Sequence, residues 1–165
     1  GIHWSVSAGI AWSITTGKNG QFAPELGGQL HRNLQAQGID TALKKAYEKG
    51  IILAGGSAGS LCWFISGSTD SRPKELSFVE GLSFLNYSHS PHYHSEPTRQ
   101  SLYQNAILTG KLKPGYACDD KAGLLFINGV VTKSVSQNVD NNNYFVSVID
   151  GKIKEELLPA EIIKE

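Results

Sequence analysis

The chain has 165 residues, with 15 basic against 15 acidic side chains and 40% hydrophobic residues. That length suits one compact domain, 1–165, with a proper core, and the balanced charge supplies no net field to recruit nucleic acid or an anionic membrane. The most apolar stretches, such as Ile51 to Ala54 and Leu124 to Val131, fall far short of the ~20 residues of a membrane span, and the first residues lack a basic segment followed by an apolar one, so a cytoplasmic protein is expected.

Taken in chain order, the first 26 residues mix Trp4, Ile10, Trp12 and Ile14 with many small residues. They have room for one strand but announce no pattern. From Gly27 to Lys49, Leu30, Leu34, Ile39, Leu43 and Tyr47 recur at roughly helical spacing, interrupted near Gly38, which predicts a helix or helical pair capped by Gly50. Ile51-Ile52-Leu53-Ala54 then reads as a short central strand buried on both faces. After Ser57, the run AGSLCWFISG predicts a short helix to Gly67, followed by a polar loop from Ser68 to Glu75.

Tyr87 to His94 reads as extended, because Pro91 disfavours helix at the residue before it. Ser95 is the expected N-cap of a helix with Pro97 in its first turn and Leu102, Ala106 and Ile107 turned inward, closed by Gly110 and Pro114. Beyond Gly115 the pattern turns to strand. Asn128-Gly129 and Asp150-Gly151 each separate two apolar runs, a strong signal for two-residue hairpin turns. Asp140 to Asn143 reads as a loop. The two cysteines, Cys62 and Cys118, cannot build a disulfide framework or a Cys-rich zinc site, and their apolar surroundings predict buried, reduced thiols.

The candidate chemistry centres on Gly55-Gly56-Ser57-Ala58-Gly59. A strand, a glycine turn and a helix form the context in which G-x-S-x-G becomes a nucleophile elbow, with the serine Oγ projecting above the strand end. The Ala58 N–H, free at the helix start, is the expected oxyanion donor. A serine needs a base, and histidine suits because it titrates near neutrality. Three of the five histidines cluster in SHSPHYHSE as His89, His92 and His94. One reading of that cluster is a catalytic histidine with pocket-shaping neighbours; the other is a metal site of His89, His92, His94 and Glu96. The carboxylate that would orient the histidine is Asp70 or one of Asp119 and Asp120.

Four stretches together carry a resemblance to a known family. LAGGSAGS around Ser57, S-P-H-Y ending at His92 and Tyr93, P-T-R at Pro97 to Arg99, and GYACDDKAGLLF around Asp120 are similar, in order and spacing, to the dipeptidase E and cyanophycinase group of serine peptidases. That resemblance implies a class I glutamine amidotransferase-like α/β fold, a three-layer sandwich with a mainly parallel sheet and antiparallel C-terminal strands. It implies Ser57 as nucleophile, His92 as general base and Asp120 as the acid, with Asp70 the alternative third member. It implies Arg99, with Asp70 and His94, at the substrate, an N-terminal Asp dipeptide being the candidate.

The resemblance runs from about Gly27 onward. Members of the group carry a longer N-terminal region with a G-G-G-N turn that supplies an oxyanion donor; Gly27-Gly28 is a poor substitute, so residues 1–26 are expected to be atypical or truncated and the oxyanion hole weakened. Losing one such donor costs ~2.7–4 kcal/mol in a protease. The expected function is therefore hydrolysis of small peptides through an acyl-enzyme, without cofactor or metal. The alternatives are a non-catalytic binding module on the same fold and a metal-dependent hydrolase using the three histidines. Monomer and homodimer are both open.

Overall fold

The computed structural model describes residues 38–70 and 76–163. Helix α1 (Ile39–Glu48) runs between two glycines with positive φ, Gly38 at 71° and Gly50 at 73°. The Gly50 N–H bonds to Tyr47 O and the Ile51 N–H to Ala46 O, so Gly50 ends the helix as its composition predicts. The first half of the expected helical pair, up to residue 37, lies outside the described residues.

Two expectations fail immediately afterwards. Ile51 to Ala54 is not a strand: it pairs with no described strand, and Ile51 and Ile52 are 56% and 71% exposed. A short apolar run fixes only a preference; it becomes a strand where neighbouring strands offer hydrogen-bond partners. The helix after Ser57 is a single turn, α2 (Ala58–Leu61), and the residues expected to extend it form β1 (Phe64–Thr69). Phe64, Ile65 and Thr69 favour a pleated, paired environment, and β1 finds partners on both sides.

Those partners belong to a six-stranded sheet. It comprises β1, β2 (Ser77–Glu80), β3 (Leu85–Ser90), β4 (Gly115–Cys118), β7 (Asn143–Ile149) and β8 (Lys152–Leu158), in the order β2-β1-β3-β4-β7-β8. The pairings β1–β3 and β3–β4 are parallel; β1–β2, β4–β7 and β7–β8 are antiparallel. The sheet is thus mixed among the described residues, not mainly parallel. Its parallel centre is the β1, β3, β4 trio.

A second sheet, β5-β6-β9, is built from β5 (Ala122–Ile127), β6 (Val130–Ser136) and β9 (Glu161–Ile162). Both expected hairpins form: Asn128 and Gly129 join β5 to β6 with φ of 52° and 78°, and Asp150 and Gly151 join β7 to β8 with 51° and 72°. Positive φ at both turn positions matches the twist of the strands they join.

Alternation along the strands separates two cores. On one side Ala117 and Val146 pack with Tyr93, Leu112 and the Tyr103, Ala106 and Ile107 face of helix α3 (Arg99–Leu108). On the other, Tyr116 joins Phe64 and Leu85 against Leu124, Phe126 and Val131 of the small sheet. The layers are therefore helix, mixed sheet and small sheet in this part of the chain. Helix α3 starts at Arg99 with Thr98 as its cap residue at φ 67°, not at Ser95. Among the described residues no helix is long and apolar enough to cross a membrane.

Candidate active site

Ser57 sits immediately before α2 with φ 51° and ψ −122°, a backbone region that costs a non-glycine residue on the order of 1–3 kcal/mol. Its neighbours make the turn possible. A Cβ on Gly55 would lie 2.1 Å from Gly59 O, so only glycine lets the chain fold this tightly onto the start of α2. Ser57 O is held by the N–H groups of Ser60 at 3.0 Å and Leu61 at 3.3 Å, and Ser60 Oγ lies 2.7 Å from it. The Ala58 N–H opens a helical turn and has no partner within it. Ser57 and Ala58 are both exposed.

Parallel strands end at the same edge of a sheet, and this brings the next two groups together. The loop after β3 carries His92 and the loop after β4 carries Asp120; the Tyr93 N–H donates to Cys118 O at 3.1 Å and stitches the loops together. His92, at φ 56°, has its Nε2 2.7 Å from Ser57 Oγ and its Nδ1 against Asp120 Oδ1. A carboxylate only accepts, so the Nδ1 proton faces Asp120 and the Nε2 lone pair is left for the Ser57 hydroxyl. Hydrogen bonding from His92 holds the Asp120 carboxyl below its ordinary value against the opposing effect of burial, and Ser95 adds a second hydrogen bond in the same direction.

The remaining residues have separate partners. His94, its side chain 38% exposed, is paired through Nδ1 with Asp119 Oδ1 at 2.8 Å, and the other Asp119 oxygen accepts the Asn142 N–H at 2.9 Å. The buried His89 bonds Ser60 Oγ through Nε2 at 2.9 Å and Tyr116 O through Nδ1 at 3.0 Å. The three imidazoles of the cluster therefore point to three different sets of partners. Among the described residues no three His, Cys, Asp or Glu side chains converge as metal ligands would.

Arg99, expected at the substrate, is enclosed by partners of its own. Its side chain is 1% exposed, and its guanidinium bonds Glu96 through Nε and Nη2 and Ser68 O through Nη1 at 3.1 Å. Asp70, 69% exposed, lies 3.7 Å from the same guanidinium and is thus a partner of Arg99 and not of His92. The arginine thus ties Glu96 of the 91–98 loop to Ser68 near the end of β1.

Sequence reasoning passed over Ser60, Ser95 and Glu96 in these roles. Ser95 was legible only as a helix cap, and a serine one turn beyond Ser57 carries no pattern of its own. Of the thiols, Cys62 is half-buried and bonds Gly59 O, its acidity pushed up to about 11, and the buried Cys118 is pushed up to about 12, in both cases mainly by burial. Both are uncharged near neutrality.

Comparison with known proteins supplies the family. Residues 27–134 match the model of peptidase family S51. A Bacillus subtilis (strain 168) protein named uncharacterized peptidase YgaJ is 37% identical over 142 residues, covering 84% of this chain and 61% of the relative, so the chain spans about three fifths of that protein's length. The strained Ser57 turn, the histidine at the end of β3 and the aspartates at the end of β4 all fall within the matched region: the chain belongs to peptidase family S51.

Proposed function

We propose that this chain is a serine-type peptidase acting on small peptides. The observation that carries the reading is the continuous hydrogen-bonded path from Ser57 Oγ to His92 Nε2 at 2.7 Å and from His92 Nδ1 to Asp120. In it His92 takes the Ser57 proton as Oγ attacks the peptide carbonyl, and Asp120 fixes the tautomer and stabilises the imidazolium that forms. The Ala58 N–H faces the developing oxyanion. His92 then protonates the leaving amine, an acyl-Ser57 ester remains, and water activated by the same imidazole hydrolyses it. No metal takes part in these steps.

Family membership and the name of the YgaJ relative support peptide hydrolysis. Gly27 and Gly28, weighed above as a source of a second oxyanion donor, lie outside the described residues. For an N-terminal Asp dipeptide, the substrate carboxylate has to compete with Glu96 and Asp70 for Arg99; we therefore assign the enzyme to small peptides in general, with Arg99 as a structural post. A fluorophosphonate probe tests the reading directly. It should label Ser57 and leave Ser57→Ala unmodified, with hydrolysis of dipeptides lost in parallel; an unlabelled wild-type protein would leave the binding-module alternative standing.

A further inference from the structure

The described site uses His92, yet the same strand delivers a second histidine beneath the nucleophile's turn. His89 lies in β3, the middle strand of the parallel trio, with Gly67 of β1 and Tyr116 of β4 as its register partners. It is buried and stacked on Phe64 at 4.4 Å between ring centroids and 15° between planes. Its ring is therefore immobile, and its Nε2 meets Ser60 Oγ at 2.9 Å. Ser60 in turn reaches Ser57 O at 2.7 Å.

Proton counting shows how this path works. Both ends, Ser57 O and Tyr116 O, are carbonyls and only accept. A neutral imidazole has one N–H, which Tyr116 O draws to Nδ1. The single Ser60 hydroxyl proton is then shared between Ser57 O and the Nε2 lone pair, and Ser57 O also accepts the N–H groups of Ser60 and Leu61. Burial, with His92 and Arg99 nearby adding to it, pushes the His89 acidity range down to about 4, so the neutral form is the one present near neutrality. The depressed basicity also removes Ser60 as a rival nucleophile, since the imidazole beside it is a poor proton acceptor.

On this basis, and resting on the peptidase reading above, we infer that Ser60 and His89 are positioning residues that fix the Ser57 turn to β3. His92 follows His89 by three residues on the same chain, so one strand sets both the height of the turn and the place of the base that bonds Ser57 Oγ. The Ser57–His92 distance is then a property of β3 and not of the short, exposed turn alone. Displacing a reacting group by about an ångström lowers rates on the order of a hundredfold, and of the four residues of α2 only Leu61 at its far end is buried.

The test is the rate of fluorophosphonate labelling on the 165-residue chain, mapped to the modified serine by mass spectrometry. Ser60→Ala should slow labelling of Ser57 by about ten- to a hundredfold, and Ser60→Thr, which keeps the hydroxyl, should recover most of it. His89→Asn keeps a donor for Tyr116 O and removes the acceptor for Ser60; it should slow labelling to a similar degree, and the double variant should be no slower than either single one. The melting temperature of Ser60→Ala should stay in place. Wild-type labelling rates in Ser60→Ala, a Ser60→Thr variant as slow as Ser60→Ala, additive losses in the double variant, or modification at Ser60 itself would each overturn the inference. Absence of Ser57 labelling in the wild-type chain would instead overturn the peptidase reading, which separates the two failures.

Discussion

The two sides of the Ser57–His92 contact are built differently. On the nucleophile side, residues 51–59 are exposed apart from the half-exposed Leu53, no strand precedes Ser57 among the described residues, and α2 is four residues long. On the base side, His92 and Asp120 leave the ends of β3 and β4, where Ser88, Ser90 and Ala117 are fully buried. Sheet pairing positions the base and its carboxylate, while glycine geometry and a few side-chain bonds position the nucleophile. Local lesions in the turn should therefore remove reactivity without unfolding the protein, whereas lesions around β3 and β4 should affect both.

The largest expected effect is Ser57→Ala, which should lower kcat for dipeptide hydrolysis on the order of 10⁶-fold with an unchanged melting temperature, checked by steady-state kinetics and calorimetry. A matching fall in stability would break the contrast. Asp120→Asn should follow, with a loss of up to about 10⁴-fold, because the amide offers a donor where the carboxylate accepted the Nδ1 proton and the imidazole loses its tautomer. Its ordered loop should survive, since Asn141 bonds the Asp120 backbone O.

Gly55→Ala sharpens the comparison from the other direction. Its Cβ would enter the space of Gly59 O, so labelling of Ser57 should fall about a hundredfold, with faster amide exchange confined to the turn and α2. Exchange spreading into β3 would show that the turn supports the sheet as well. Arg99→Lys tests the base side: losing the fork that grips Glu96 and Ser68 should destabilise the fold by about 1–3 kcal/mol, and kcat/KM should fall about equally for an N-terminal Asp dipeptide and a neutral one. A selective loss on the acidic dipeptide would restore Arg99 as a substrate-binding residue.

A further effect is a pH dependence. His89, facing Ser60, Tyr116 O and Phe64 with His92 and Arg99 nearby, titrates at about 4 when folded against 6.5 ordinarily. Between those values the unfolded chain binds the extra proton, so the stability due to a neutral His89 is present above pH 6.5 and is lost as pH falls toward 4, at about 1.4 kcal/mol per unit at most. Below the ordinary carboxylate range the lowered Asp120 contributes in the same sense. Thermal melts across this window should show the decline, and His89→Asn should flatten its upper part.

Much of this was legible in the residues themselves. The αL glycine after α1, the Asn-Gly and Asp-Gly hairpins and the extended stretch up to Ser90 follow from local backbone chemistry, whereas residues 91–94, expected to continue it, form a turn with His92 at φ 56°. The chemical types around Ser57, His92 and Asp120 were likewise readable from their motifs. Three elements were not. Ile51 to Ala54 has strand composition without a described partner strand; Phe64 to Thr69 reads as a continuation of helix until β2 and β3 flank it; and Ser95 is an ordinary cap until Asp120 lies beside it.

The sequence by itself determined turns, caps and the menu of reactive groups, because those depend on φ preferences and side-chain chemistry within a few residues. The tertiary structure decided which groups meet. Parallel pairing of β3 with β4 brings positions 92 and 120 to one edge of the sheet, and pairing of β3 with β1 sets His89 beneath Ser60. It also decided that Arg99 is buried against Glu96 and Ser68, since a guanidinium taken out of water needs partners that only the folded loop supplies.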